Sequence, residues 1–265
     1  VAGTRDRGED RKWGRAAGVG GVVLAVVALA TACGASAADD KHPEHRSFGL
    51  HGRTLTVDSD DSALDLVVSD SVKSDEVQVT RWFQGRVTVG GKPKVTWAMK
   101  DGDRLVLRMR CSGVVADCSA RHRIVVPRGV AVTVRDGDGG VNARGFAEAL
   151  TVRTADGSVR VIDSSGPLDL RSADGSIQAL GVAARNVRAR SEDGSVRLEL
   201  SAVPDLVDSR TADGSVSIVL PRAGYRVTTG SHDGSVHVAV PRDDSSTHRV
   251  SAHTGDGAIT VRTAH

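Results

Sequence analysis

"RTADGSV" occupies residues 153–159, returns unchanged at 210–216, and has a near copy, "RSADGSI", at 171–177. Aligned on the first residue of the Asp-Gly pair, the copies fall at Asp156, Asp174, Asp193, Asp213, Asp233 and Asp256. Their glycines are Gly157, Gly175, Gly194, Gly214, Gly234 and Gly257. A degenerate copy precedes them at Asp138, and the steps from there are 18, 18, 19, 20, 20 and 23 residues. Periodicity on this scale is the signature of a repeat architecture.

The columns of the alignment are more regular than the spacing. Six residues before the Asp stand Val132, Leu150, Leu168, Val187, Val207, Val227 and Val250; three after it stand Val141, Val159, Ile177, Val196, Val216, Val236 and Ile259. Two before the Asp, the six good copies carry Thr154, Ser172, Ser191, Thr211, Ser231 and Thr254. Each unit therefore reads as an alternating strand, a polar turn and a second alternating strand. Gly is expected to supply positive φ in the turn. Asp and the hydroxyl residues are expected to bond to nearby backbone N–H groups.

Two all-β architectures fit this parity. One is a β-solenoid or β-roll of 18–23-residue repeats, each unit a coil stacked on its neighbour. The other is a β-sandwich of Asp-Gly hairpins. The solenoid is preferred, because stacking equivalent residues in register explains why the same polar residues recur in the same column. The repeat region is placed at 129–265.

Residues 47–128 alternate without the Asp-Gly-Ser signature. "TLTV" (54–57), "ALDLVV" (63–68), "EVQVTRWF" (76–83), "KVTWAM" (94–99) and "RLVLRMR" (104–110) read as strands, with "KDGD" (100–103) as a hairpin turn. This is expected to be an antiparallel β entry region that caps the first edge of the solenoid, which is otherwise an open template for pairing. The sequence stops shortly after "ITVRT", so the last coil is expected to leave an exposed edge.

The N-terminus reads as an address. Residues 5–15 are charged, and "AAGVGGVVLAVVALATA" (16–32) is apolar and small-residue-rich, as in a secretory signal peptide. "ATAC" (30–33) resembles a bacterial lipobox, with Ala30 where Leu is usual. That resemblance implies cleavage before Cys33, diacylglycerol on its thiol, and a membrane anchor at the outer face of the bacterial cytoplasmic membrane. Residues 33–46 then serve as a lipidated Cys and polar tether. The two remaining cysteines, Cys111 and Cys118, can form a disulfide, as an exported protein permits.

Charge and aromatic content exclude some partners. The chain has 35 Lys+Arg and 33 Asp+Glu, of which the first 32 residues hold five and three, leaving 30 of each sign. A neutral remainder with 3% aromatics does not suit nucleic acid, which needs a basic face and stacking platforms.

A lipobox, a β entry region, the "VVPRG" step (125–129) and iterated strand–Asp-Gly–strand units together resemble the bacterial putative-adhesin family of β-strand-repeat lipoproteins, whose domain is of unknown function. The resemblance covers about residues 47–265. It implies an envelope or surface protein and brings no catalytic residues.

The candidate sites follow the columns. Arg135, Arg153, Arg171, Arg190 and Arg210 stand three before the Asp and point outward by parity. Stacked about 4.8 Å apart, they form a possible track for an anionic polymer, unless Asp169, Asp208 and Glu192 neutralise them. The Asp column is read as turn-capping rather than calcium-binding. His232, His237, His248, His253 and His265 are read as a surface cluster without metal-ligand spacing. The Ser after each Gly is a structural column, and no elbow motif or triad accompanies it. No enzyme, cofactor or metal is expected. The expected function is adhesion or scaffolding at the cell envelope. The alternative is an envelope-stress sensor that binds a membrane protein, through a patch with Trp82 and Trp97, or a cationic peptide. The sequence leaves the oligomeric state open.

Overall fold

The computed structural model describes residues 36–264; the expected signal segment 1–32 and Cys33 lie outside the described residues. Seven strands precede the repeats: β1 (Glu44–Gly49), β2 (Thr54–Ser59), β3 (Ala63–Val68), β4 (Glu76–Val87), β5 (Lys94–Lys100), β6 (Arg104–Arg110) and β7 (Ala116–Val126). Each repeat then supplies two strands. They are β8 (Ala131–Asp136) with β9 (Val141–Arg144), β10 (Leu150–Thr154) with β11 (Val159–Ile162), and β12 (Leu168–Ser172) with β13 (Ile177–Val182). Next come β14 (Asn186–Arg190) with β15 (Val196–Leu200), and β16 (Leu206–Asp213) with β17 (Val216–Leu220). The last are β18 (Arg226–Ser231) with β19 (Val236–Ala239), and β20 (Arg249–Asp256) with β21 (Ile259–Thr263).

The two strands of a repeat belong to different sheets. The strand before each Asp-Gly joins a ten-stranded sheet and the strand after it joins an eleven-stranded one. The Asp-Gly segment is therefore a corner between sheets, not a hairpin, and the molecule is a flattened β-solenoid. Successive coils pair parallel and in register, so that Val132, Leu150, Leu168, Val187 and Val207 form one continuous row. The inward side chains of both sheets meet in one core, with Val152, Leu170, Ala189, Val161 and Ala179 fully buried. Alternation along each strand leaves the intervening polar residues outside.

The order of coils departs from the order of the sequence at both ends. The β20–β21 coil lies between the β16–β17 and β18–β19 coils, so Val207 neighbours Val250, and Val250 neighbours Val227. The exposed edge thus belongs to β18 and β19, not to the last strand as expected. At the other end, β2 and β3 lie between β6–β7 and β8–β9. The entry region is accordingly mixed. Its β2, β3, β6 and β7 continue the parallel stack, while β5 on β6, and β1 on β4 on β7, close the end with antiparallel ladders. The segment expected to be a free tether is partly docked: Ala37 is buried, Asp40 accepts a hydrogen bond from the Phe83 N–H, and β1 begins at Glu44. Among the described residues, no helix is long and apolar enough to cross a membrane.

The corner explains the repeated letters. The Ser172 hydroxyl accepts from its own Gly175 N–H at 2.9 Å and donates to the Gly157 carbonyl of the preceding coil at 3.0 Å. Ser191 repeats both bonds with Gly194 and Gly175 at 3.0 and 2.9 Å. Thr154 does so with Gly157 and Gly137. Thr211, Thr254 and Ser231 donate to Gly194, Gly214 and Gly257 at 2.9, 2.8 and 3.0 Å, following the spatial order of the coils. The result is a column of hydroxyls that satisfies backbone groups that are otherwise orphaned in the corner. The glycines answer to crowding rather than to positive φ, which none of these six adopts. A Cβ on Gly175 would sit 2.1 Å from the Gly157 carbonyl oxygen, and one on Gly157 would sit 1.9 Å from that of Gly139. The Asp side chains, expected to cap, are exposed and make no hydrogen bond among the described residues.

One position breaks the column. Asp136 replaces the hydroxyl residue beside Thr154, and both its carboxylate oxygens and the Ser59 hydroxyl are buried without a well-formed hydrogen bond. Burial is the main force raising Asp136 to about 7; the Ser59 hydroxyl and Gly139 N–H pull it down, and Asp61 and Asp138 push it up. In the cap, His122 is fully buried with neither ring nitrogen bonded. Burial, aided by Arg81, drives it down to about 4.

Two outcomes are expected. Ser191→Ala leaves a buried N–H and carbonyl unpaired and lowers stability by about 1–3 kcal/mol, whereas Ala at exposed Ser195 changes it by less than about 0.5 kcal/mol. Denaturant titration of both variants checks this. Asp136 holds in the folded state a proton that the unfolded chain releases. Its contribution is full below the ordinary 3.8 and is lost as pH rises through about 7. Asp136→Ser should therefore gain about 2–4 kcal/mol on wild type between pH ~4 and pH ~8, His122 being common to both proteins. Denaturation at both pH values measures the gain; a difference that stays constant with pH contradicts it.

Candidate functional site

The outward face of the ten-stranded sheet carries the arginine column. Parallel register sets Arg135, Arg153, Arg171, Arg190 and Arg210 side by side, with His253 and then Gly230 continuing the row. Four of the five positions thus follow from one fact, that the coils stack without slipping. Asp58 of β2 heads the row beside Arg135, but it is engaged by Arg104 and Arg108. Burial works to raise the Asp58 carboxyl, and those two guanidinium groups hold it below its ordinary value.

Neutralisation of the column is partial. Asp169 pairs with Arg171 at 3.1 Å. Asp208 bridges Arg190 and Arg210 at 3.0 and 3.1 Å. Burial alone would raise Asp208, but the two arginines hold it below the ordinary carboxylate value. Glu192, a third expected counter-charge, pairs with none of them. Arg135 and Arg153 are exposed and have no ion pair among the described residues. In the adjoining row, Arg188 stands in register between Asp169 and Asp208. Six arginines thus face two aspartates on this part of the sheet. A shallow groove of about 380 Å³ runs beside Arg171, Arg190 and Arg210, edged by Glu192 and Thr211.

The acidic groups gather at the corner. Asp138, Asp156, Asp174, Asp193, Asp213, Asp233 and Asp256 are all exposed and form a ridge parallel to the arginine column, three residues away in each coil. The near-neutral chain is therefore polarised into stripes. Among the described residues, no three His, Cys, Asp or Glu side chains lie together so as to hold a metal ion. Of the histidines, His248 bonds through Nδ1 to the Pro204 carbonyl at 2.8 Å; His265 lies outside the described residues.

Sequence reasoning missed a second basic patch, on the eleven-stranded sheet. Arg123, Asp65, Asn142 and Arg160 form one row across four strands, none of them consecutive in the chain. Arg121 pairs with Asp65. Asp65, Arg121, Arg123, Asn142, Arg144 and Ile162 line an open groove of about 360 Å³. No column betrayed it, because β3 and β7 lack the repeat motif and the position after the β-branched column varies between coils, as Asn142, Arg160 and Gln178.

The aromatic residues suggested as a surface patch are engaged in the cap. Trp97 packs against the core, edge-on to Phe48 at 6.0 Å, with the Arg81 guanidinium over its ring at 4.5 Å. Arg121 lies over Trp82 at 5.7 Å. Cys111 and Cys118 are joined as a disulfide, as their spacing allows.

Among solved structures, one shares this architecture. A putative adhesin from Bacteroides fragilis superposes with a TM-score of 0.54 at 14% identity, over 85% of this chain and 98% of its own. A putative adhesin from Parabacteroides merdae gives 0.43 at 11%, over 85% and 97%. A putative cell adhesion protein from Clostridium sporogenes gives 0.33 at 11%, over 84% and 100%. No curated protein matches the chain. A family profile matches across residues 34–265, and on that match the chain belongs to the Toastrack DUF4097 family.

Proposed function

We propose that this protein is a non-catalytic, extracytoplasmic adhesion or scaffolding protein that holds anionic polymers of the cell envelope along its arginine column. The observation that carries the reading is the register of Arg135, Arg153, Arg171, Arg190 and Arg210, with Arg135 and Arg153 unpaired. A row of cations at strand spacing, about 4.8 Å, presents a periodic positive potential to a flexible polyanion. The adhesion-like names of the solved relatives favour the same class. Residues 1–32 as a secretory signal and Cys33 as a diacylglycerol anchor complete the proposal. The Cys111–Cys118 bond fits an oxidising compartment outside the cytoplasm. Every potential nucleophile in the corner is a member of a repeated column, which supports a structural use of those hydroxyls.

A second reading draws on the acidic ridge. Seven exposed carboxylates in a line suit a cationic peptide, as an envelope-stress sensor would bind. The two readings use different stripes, so they separate by mutation.

The test is binding of residues 34–265 to purified envelope fractions across a salt series, beside a variant with Arg153, Arg171, Arg190 and Arg210 changed to Ser. Wild-type binding should weaken as salt rises, and the variant should bind at least about ten-fold more weakly. Equal binding by the two proteins removes the arginine column from the account. Loss of cationic-peptide binding on changing Asp156, Asp174 and Asp193 to Asn would favour the sensor.

A further inference from the structure

Of the four large apolar side chains that are exposed among the described residues, three lie at one place: Val89, Val114 and Val115, at 60, 81 and 60% exposure. They come from two loops, 88–93 and 111–115, that extend the β4–β7 ladder beyond Val87 and Ala116. The loops pair with each other. Thr88 N–H donates to Val115, Val114 N–H to Val89, and Gly91 N–H to Ser112, at 2.9, 2.7 and 3.2 Å. Gly90 and Gly113 form the bridge between them, so close that a Cβ on Gly90 would sit 2.5 Å from the Gly113 Cα. The Cys111–Cys118 disulfide ties the base of this ribbon. The tip is therefore held in shape while its valines face water, the reverse of what a free loop of this composition would do.

The surroundings of the tip are basic. Lys92, Lys94 and Arg110 are exposed and have no ion pair among the described residues. Lys94 and Arg110 stand directly opposite each other in the β5–β6 ladder, an arrangement that costs stability unless an anion relieves it. An apolar tip ringed by unpaired cations matches the chemistry of an anionic bilayer surface, with acyl chains below and phosphates at the rim.

We propose that the disulfide-tied ribbon is a membrane-contact tip, whose Val89, Val114 and Val115 enter the interface of an anionic bilayer while Lys92, Lys94 and Arg110 engage lipid phosphates. The tip orients the solenoid on the membrane, and it acts whether or not Cys33 carries lipid.

The experiment uses residues 34–265, which lack Cys33 and form a compact unit containing the whole described fold. Co-sedimentation is measured with vesicles of phosphatidylcholine alone and with added phosphatidylglycerol. Partition should require phosphatidylglycerol. It should fall about ten-fold or more in the Val89→Ser, Val114→Ser, Val115→Ser triple variant, whose changed side chains contact little of the fold. A Val114→Trp variant should shift to shorter emission wavelength and be quenched by brominated acyl chains. Absence of vesicle binding by the wild type overturns the proposal. So does wild-type binding by the triple variant, or an unshifted Val114→Trp spectrum on bound protein. Loss of vesicle binding only in the arginine-column variant would overturn the tip and leave the polyanion reading standing.

Discussion

A buried hydroxyl in each corner sets the constraint on which the rest of this molecule depends. A chain that turns from one sheet to the other must leave backbone N–H and C=O groups inside the corner, away from water. Here a single Ser or Thr oxygen accepts from the glycine N–H of its own coil and donates to the glycine carbonyl of the preceding one. The bond fixes the height of one coil on another and the register with it, since a slip of one residue would turn the apolar faces outward. The glycine is required because the neighbouring carbonyl occupies the space of a Cβ.

Register then does the electrostatic work. Once every coil stacks in phase, each sequence position becomes a line along the solenoid. Arginine becomes a positive stripe, the corner Asp a negative ridge, and the valines and leucines a continuous core. A chain with almost no net charge thereby acquires extended potentials of both signs. Asp136 is the one place where charge enters the hydroxyl column itself, and its burial next to Asp61 and Asp138 makes that joint sensitive to protons. It lies where the repeats meet the entry region, one strand from β2.

The repeat unit, the strand pairing of equivalent columns, the arginine row and the disulfide were legible in the sequence, because each depends on local alternation or spacing. The order of the coils was not. Every coil has the same inward and outward pattern, so alternation cannot tell which coil lies on which, and the insertion of β20–β21 beneath β18–β19 leaves no trace except a longer final step. The glycine requirement was also misread: φ is a property of one residue, whereas the crowding comes from a carbonyl of a neighbouring coil. The valine tip was hidden for a related reason. Val89, Val114 and Val115 are apolar residues of the kind that fill strands, and their exposure appears only when the two loops are seen to pair beyond the edge of the core. Trp97, read from the sequence as part of a surface patch, is partly buried and packs against the core.

The central claim, that a buried hydroxyl column locks the coils, is tested most directly by amide hydrogen exchange at the corner glycines. Turn amides ordinarily exchange quickly. If the account holds, the N–H groups of Gly157, Gly175 and Gly194, each bonded to a buried hydroxyl oxygen, exchange as slowly as the central strand amides of Val152 and Leu170. Exchange at those glycines as fast as at Gly52, whose surroundings are open, would contradict it.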